Sequence, residues 1–289
     1  MFSQIRFMFL VIVSVLSGGK LLMAEELPST LNNTSLPRAN FKIIALSPHS
    51  VESLYAIGAG QHIVATTDHA DYPDAAKNIP RIGGYYGVQM ERVIELNPDL
   101  VVVWKSGNKA EDIAQIQSLG FKVFNSDPKS LDDVATELEK LGELTGYAQQ
   151  ANGVAKQYRD QLAMIRKDNH AKPAVEVFYQ LWSTPLMTVS DGSWIEHIIS
   201  ACNGQNVFLD ADSEYPQVSI ENVLVKQPEV ILQSLDEGNI LGVNWQQWPE
   251  LPAVKNKHIY QLNADLLHRA SPRALLGVNA LCAALDKAR

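Results

Sequence analysis

The stretch "YYGVQMERVIELNPDL", Tyr85 to Leu100, returns in altered form as "YPQVSIENVLVKQPEV", Tyr215 to Val230. At a constant offset of 130 residues the two share Tyr85/Tyr215, Val88/Val218, Glu91/Glu221, Val93/Val223 and Pro98/Pro228. Asp99/Glu229 and Leu100/Val230 keep the same chemistry. Each copy reads as the entry to a short helix with an acid in its first turn. Each then runs into a short apolar segment, "LVVVW" in one and "VILQS" in the other, of the length of a buried strand. A helix-to-strand unit written twice, half a chain apart, predicts two similar lobes.

The same alternation extends to either side. "FKIIAL" is a strand, and "SPHSVESLYAIGAG" is a helix. Ser47 is its N-cap and Pro48 suits its first position, where a missing N–H loses nothing. Gly58 and Gly60 end it. "HIVATTD", "KVFN", "VEVFYQLW", "LMTVS" and "HIYQLN" read as further strands. "AEDIAQIQSLG" and "SWIEHIISACNG" read as helices, the second closed by Gly204. Ser271–Pro272 is read as the cap of a terminal helix, in the manner of Ser47–Pro48. From Ser130 to about His170 the apolar positions recur at helical steps, with a break expected near "LTGYA". Short strands alternating with helices imply parallel sheets covered on both faces. The expected fold is therefore α/β: two Rossmann-like lobes with parallel-rich sheets, joined by a long backbone helix. The lobes are placed at 41–128 and 173–289, and the linking helix at 129–172.

The chain has 289 residues, ample for two such lobes. Its net charge of −8 argues against a nucleic-acid partner, which needs a basic face. Residues 1–24 resemble a secretory signal peptide: Arg6, an apolar run from Phe7 to Leu16, then small residues and a cut after Ala24. That run is too short to span a bilayer comfortably. A polar leader, 25–40, follows. Export makes the two cysteines, Cys202 and Cys282, candidates for a disulfide, with two buried thiols as the alternative.

The common enzyme signatures are missing: no dinucleotide or phosphate loop, no H-E-x-x-H, no C-x-x-C, no G-x-S-x-G. The expectation is a binding protein without catalytic residues or catalytic cofactor, with a secreted hydrolase as the rival from another class. In open α/β sheets ligands collect beyond the C-terminal ends of the strands. Trp104 closes "LVVVW" and so emerges there, while Tyr85 and Tyr215 open the two repeats and would face each other across a cleft. His69, in a loop after a strand, is a candidate ligand contact. Asp265, His268 and Arg269 offer hydrogen bonds just before the last helix. Glu91 and Glu221 are each explained singly by the helix dipole. Their shared register points further, to a pair of carboxylates for a two-fold partner with arginine sockets.

The stretches "IIALSPHSVESLYAIGAG", "DYPDAAKNIPRIGGYYGV", "ERVIELNPDLVVVWKSGN", "YPQVSIENVL" and "RASPRALL" resemble the cobalamin-binding proteins of vitamin B12 ABC importers. These belong to the helical-backbone (class III) substrate-binding proteins, whose other members take siderophores, haem or metal chelates. The likeness covers nearly all of the mature chain. It implies a periplasmic receptor, monomeric when free, with cobalamin or a related corrinoid in the inter-lobe cleft. It further implies docking of Glu91 and Glu221 on a dimeric permease and a Cys202–Cys282 disulfide. The pocket positions fall on His69, Tyr85, Trp104, Tyr215 and the stretch Asp265, Leu266, Leu267, His268, Arg269. Five of these depart from the cobalamin pattern, which has Tyr at His69, Trp at Tyr85 and Tyr215, and Trp-Phe at Leu266 and Leu267. No resident metal is implied, but the imidazole of His69 is a candidate axial contact to cobalt.

Overall fold

The computed structural model describes residues 40–235 and 243–289. The expected signal peptide and all but the last residue of the polar leader lie outside the described residues. The first lobe holds β1 (Ile43–Ala45), β2 (Ile63–Thr66), β3 (Leu100–Trp104) and β4 (Val123–Ser126), all parallel, in the order β2-β1-β3-β4. The second holds β5 (Val175–Gln180), β6 (Gly204–Asn206), β7 (Val230–Leu235) and β8 (Ile259–Asn263), also parallel, in the order β6-β5-β7-β8. The two sheets therefore have one topology: the first strand sits inside and the third pairs beside it. Strands such as Val101, Val102, Val103 and Val230, Ile231, Leu232 are buried on both faces, which is why they read as continuous apolar runs rather than alternating ones.

Helices α1 (Pro48–Ala56), α2 (Met90–Leu96) and α3 (Ala110–Ser118) connect the first sheet. The repeat explains its own geometry. In one copy α2 leads to β3; in the other a helix at Ile220–Lys226 leads to β7. Both helices exit through a left-handed residue, Asn97 at φ 44° and Gln227 at φ 51°. Asp99 then accepts the Lys42 backbone N–H at 2.8 Å, and Glu229 accepts that of Glu176 at 3.0 Å. Each acid fastens the start of its lobe's inner strand.

The stretch 130–170 is two helices, α4 (Leu131–Thr145) and α5 (Ala148–His170), broken at Gly146, whose φ of 80° supplies the left-handed turn within the expected "LTGYA". Arg159 pairs with Glu139, and Arg166 with Asp132, so the two helices run antiparallel. Only α5, 23 residues and about 35 Å at 1.5 Å per residue, carries the chain onward to β5. A single apolar cluster runs from Leu54 in the first lobe through Leu138 and Leu162 on this hairpin to Val177 and Ile198 in the second. The joint is thus packed core, which opposes large relative motion of the lobes.

The second lobe adds α6 (Trp194–Ala201), α7 (Ile220–Lys226), α8 (Pro252–Lys255), α9 (Ala264–His268) and α10 (Ala274–Leu285). Cys202, just past α6, is bonded to Cys282 on α10, with Cα atoms 4.9 Å apart, so the pair is a disulfide and not two thiols. Three local expectations need correction. "LMTVS" supplies only Leu186–Met187, paired with Trp182–Ser183 in a small hairpin, and β5 accordingly stops at Gln180. Gly204 does not close α6; Asn203 takes the left-handed position, φ 54°, and Gly204 opens β6. Ser271 does not cap α10, whose N-cap is Arg273 without a side-chain bond. The Ser271 hydroxyl goes instead to Glu52, on the other lobe, at 2.5 Å.

Candidate ligand cleft and docking acids

A cavity of about 350 Å³ opens between the C-terminal ends of the two sheets. The first lobe contributes His49, Trp104 and Ser106, the second Trp194, Tyr215 and His268. Parallel strands point their C-terminal ends the same way, so the loops and helix starts that follow them converge there.

Each wall has a local cause. Ser47 caps α1, its Oγ accepting the Ser50 N–H at 3.3 Å, and so sets His49 in the first turn. Trp104 ends β3; its backbone N–H donates to Asn108 Oδ1 at 2.7 Å, and Asn108 Nδ2 donates to the Leu46 carbonyl at 2.9 Å. A Cβ on Gly107 would lie 2.0 Å from the Trp104 ring, so glycine is what lets the turn fold under the indole. The His49 ring meets Trp104 edge-on, 5.3 Å between centroids. Opposite, Ser193 caps α6 and places Trp194 at its first position. The Trp194 indole N–H donates to the Leu267 carbonyl at 2.6 Å.

The cavity lining carries one cation and one anion, Lys129 and Glu214, of opposite sign. Burial lowers the His49 imidazole to about 4, so it is neutral at ordinary pH. Its Nε2 lies 2.8 Å from Ser126 Oγ, which also bonds Glu137 Oε2 at 2.7 Å. Burial raises Glu137 to about 7, against the stabilising bonds from Ser126 and the Asp127 N–H. His268 Nε2 is 2.9 Å from the buried Tyr179 hydroxyl. Burial also raises the Tyr215 phenol.

Of the residues singled out from sequence, Trp104, Tyr215 and His268 meet in the cavity. His69 and Tyr85 lie on exposed loops of the first lobe and are not among its lining residues. His69 has φ 62°, and Tyr85, 89% exposed, stands edge-on to Tyr86 in the turn of the hairpin formed by Gly83–Gly84 and Gly87–Val88. Leu267 is buried and Leu266 half-buried. Asp265 and Arg269 pair with each other at 2.6 Å, and Arg269, only 8% exposed, also binds Asp71 and Glu52. His49 and Trp194 were missed from sequence. Their signal was the one that found Trp104: a ring at the point where a strand end gives way to a helix start.

Glu91 and Glu221 occupy the same position in the first turns of α2 and α7, both exposed. Bonds from its own backbone N–H and from Ser219 hold Glu221 below the usual carboxylate range. Exposed apolar side chains flank them, Ile94 on α2 and Val225 on α7. Among the described residues no group of side chains could hold a metal ion, and no helix is long and apolar enough to cross a membrane.

The sequence pattern of the periplasmic binding protein family matches residues 43–266. The vitamin B12-binding protein of Vibrio vulnificus (strain YJ016) is 38% identical over 242 residues, 83% of this chain and 88% of that protein. Among solved structures, the periplasmic vitamin B12 binding protein BtuF of Vibrio cholerae superposes with a TM-score of 0.80 at 37% identity, covering 86% of this chain and 97% of that one. The periplasmic heme-binding protein RhuT of Roseiflexus sp. RS-1 follows at 0.77 and 26%, covering 86% and 100%. The two-lobed fold, the cleft at the strand ends and these likenesses agree: the chain belongs to the periplasmic binding protein family.

Proposed function

We propose that this protein is exported through its N-terminal signal peptide and captures cobalamin, or a related corrinoid, in the inter-lobe cleft. It then delivers the ligand to an inner-membrane ABC importer, with Glu91 and Glu221 each docking on one subunit of a dimeric permease. The observation that carries the ligand is the cleft itself: indoles and a phenol on facing walls, with its one buried imidazole held neutral. A corrin is a broad, amide-fringed disc with little net charge, and aromatic faces with scattered hydrogen-bond donors suit it. At about 350 Å³ the cavity sits near the lower end of the range for enclosed small-molecule sites, roughly 300–1,000 Å³. A corrin would therefore lie across its mouth, and the exposed Tyr85 and Trp182 are then available to the overhanging part.

Haem is the rival ligand, since a heme-binding protein shares the fold. A haem site wants an imidazole or phenolate free to ligate iron. Here the Nε2 atoms of both cavity histidines already have partners. Burial disfavours the phenolate form of Tyr215, which leaves His69, exposed on its loop, as the remaining imidazole for an axial contact to a metal centre. Cobalt ligation by it requires the absorbance spectrum of the complex to change in His69→Ala; an unchanged spectrum removes that role. The deciding experiment is titration calorimetry of the mature chain with cyanocobalamin, hemin and a ferric siderophore. Tight one-to-one binding of cobalamin alone is expected. Binding of hemin or the siderophore without cobalamin overturns the ligand assignment and leaves the fold untouched.

A further inference from the structure

The segment from Ala264 to Arg273 belongs to the second lobe and presents two faces. His268 and Ala270 line the cavity. The residues between and after them, Arg269, Ser271 and Arg273, turn the other way and meet the first lobe. Arg269 is in extended backbone, φ −98° and ψ 110°, where successive side chains point to opposite sides. On that opposite side stands Glu52 of α1, 4% exposed. Its Oε1 accepts from Arg273 Nη2 at 2.6 Å and Arg269 Nη1 at 3.1 Å; its Oε2 accepts from Ser271 Oγ at 2.5 Å and Arg273 Nε at 3.1 Å. Arg273 thus grips the carboxylate as a two-pronged fork, the geometry that fixes direction as well as distance. Arg269 continues to Asp71 at 2.6 Å, and the Asp71 N–H donates to the His69 carbonyl at 3.1 Å.

We propose that Glu52 is a positioning residue for ligand capture: a carboxylate of one lobe that holds the ligand-facing segment of the other. It touches no cavity space on the ligand side. It fixes Arg269, Ser271 and Arg273, and with them their chain neighbours His268 and Ala270 in the cleft wall. Through Arg269 and Asp71 the same network reaches the loop that carries His69. The charged chemistry of this segment is consumed in holding it, so the segment itself brings neither Arg269 nor Arg273 to the cleft lining. The inference rests on the cleft being the cobalamin site.

The test combines binding with a probe of the segment itself. Trp194 reports on it directly, because its indole N–H is bonded to the Leu267 carbonyl. The chain is labelled with 5-fluorotryptophan, the Trp194 resonance assigned, and Glu52→Gln compared with the native protein. Losing the charge that pairs two arginines should weaken cyanocobalamin binding by about tenfold or more and shift or split the Trp194 line in the free protein. Ser271→Ala removes one bond and no charge, so it keeps the test open should Glu52→Gln not fold; about a threefold loss with a smaller shift is expected. Asp99→Ala, which loosens the first lobe elsewhere, should move neither reading. An unmoved Trp194 line in both variants overturns the proposal, as does native affinity with a moved line. If the native chain binds no cobalamin, the ligand assignment fails by itself, and the Trp194 line alone then decides whether Glu52 places the segment.

Discussion

The two copies of the repeat agree in one half and part company in the other. From the acid onward they match: Glu91 and Glu221 in first turns, a left-handed exit, and Asp99 or Glu229 bonded to the backbone of the neighbouring strand. Before the acid they diverge. Tyr85 stands 89% exposed on a hairpin turn, whereas Tyr215 is 42% exposed and lines the cavity. The entry to α7 carries a Ser219–Asn222 capping box; the entry to α2 has Gln89 with no side-chain bond. The matched half faces what is alike in both lobes: the sheet, and, in the docking proposed above, a partner with two-fold symmetry. The divergent half faces the cleft in the second lobe only, so the two lobes offer a ligand without that symmetry two different surfaces.

The largest expected effect falls on the matched half. Replacing Glu91 and Glu221 together with arginine should reduce transport in reconstituted vesicles to background while calorimetric affinity for cobalamin stays within about twofold, since charge reversal at a docked pair costs several kcal/mol. A parallel fall in affinity would assign the acids to the pocket or the fold. On the divergent half the copies should behave unequally. Tyr215→Ala removes a ring from the cavity wall and should weaken binding about tenfold to fiftyfold; Tyr85→Ala, outside the lining and available only to an overhanging corrin, should cost about threefold. Equal losses would mean that the ligand spans both rings alike.

Much of this division was already legible in the chain. The repeat, read at one constant offset, located both helices, both following strands and both acids, because register in a buried parallel strand leaves little freedom. Cap chemistry located α1, since Ser47–Pro48 acts locally. The same Ser-Pro pattern at Ser271 misled, because a longer-range acceptor, Glu52, took the hydroxyl. Glu52 reads in sequence as an ordinary polar position of an amphipathic helix. Nothing within a few residues of it announces that its partners lie more than 200 positions away. Arg269 was legible as polar and near the cleft, but not as facing away from it, since that depends on which way an extended residue points. His49 and Trp194 were readable by the strand-end rule and simply lay outside the repeat.

The structural acids of the matched half should contribute equally. Asp99→Ala and Glu229→Ala each free one backbone N–H, and each should lower stability by about 1 kcal/mol in urea denaturation. They lie in different lobes without shared partners, so the double variant should add. A change at one site only would show that the symmetry of the fastening is geometric and not energetic.

The smallest effect separates buried groups that pull in opposite directions. Burial raises Glu137, beneath the first lobe's wall, and Glu196, on α6 of the second, from 4.5 to about 7. Between those values the folded chain holds protons that the unfolded chain has released, so stability falls as pH rises through that window. His49 is lowered from 6.5 to about 4. Between those values the unfolded chain takes up a proton that the folded one refuses, so stability rises with pH. Across the overlap His49 offsets one of the two acids. Glu137→Gln imitates the protonated acid: its amide oxygen keeps the Asp127 N–H, and its amide nitrogen can donate to Ser126, freeing that hydroxyl to donate to His49 Nε2. The variant should therefore lose the downward slope due to Glu137 between about pH 4.5 and 7, a change somewhat below the ~1.4 kcal/mol per pH unit of one whole proton, because the carboxyl is not fully buried. Stability of native and variant chains, measured in urea at half-unit pH steps, should diverge steadily across that window in favour of the variant. Parallel curves would mean that Glu137 is ionised in the folded protein at the low end of the window, with its bonds to Ser126 and Asp127 outweighing its burial.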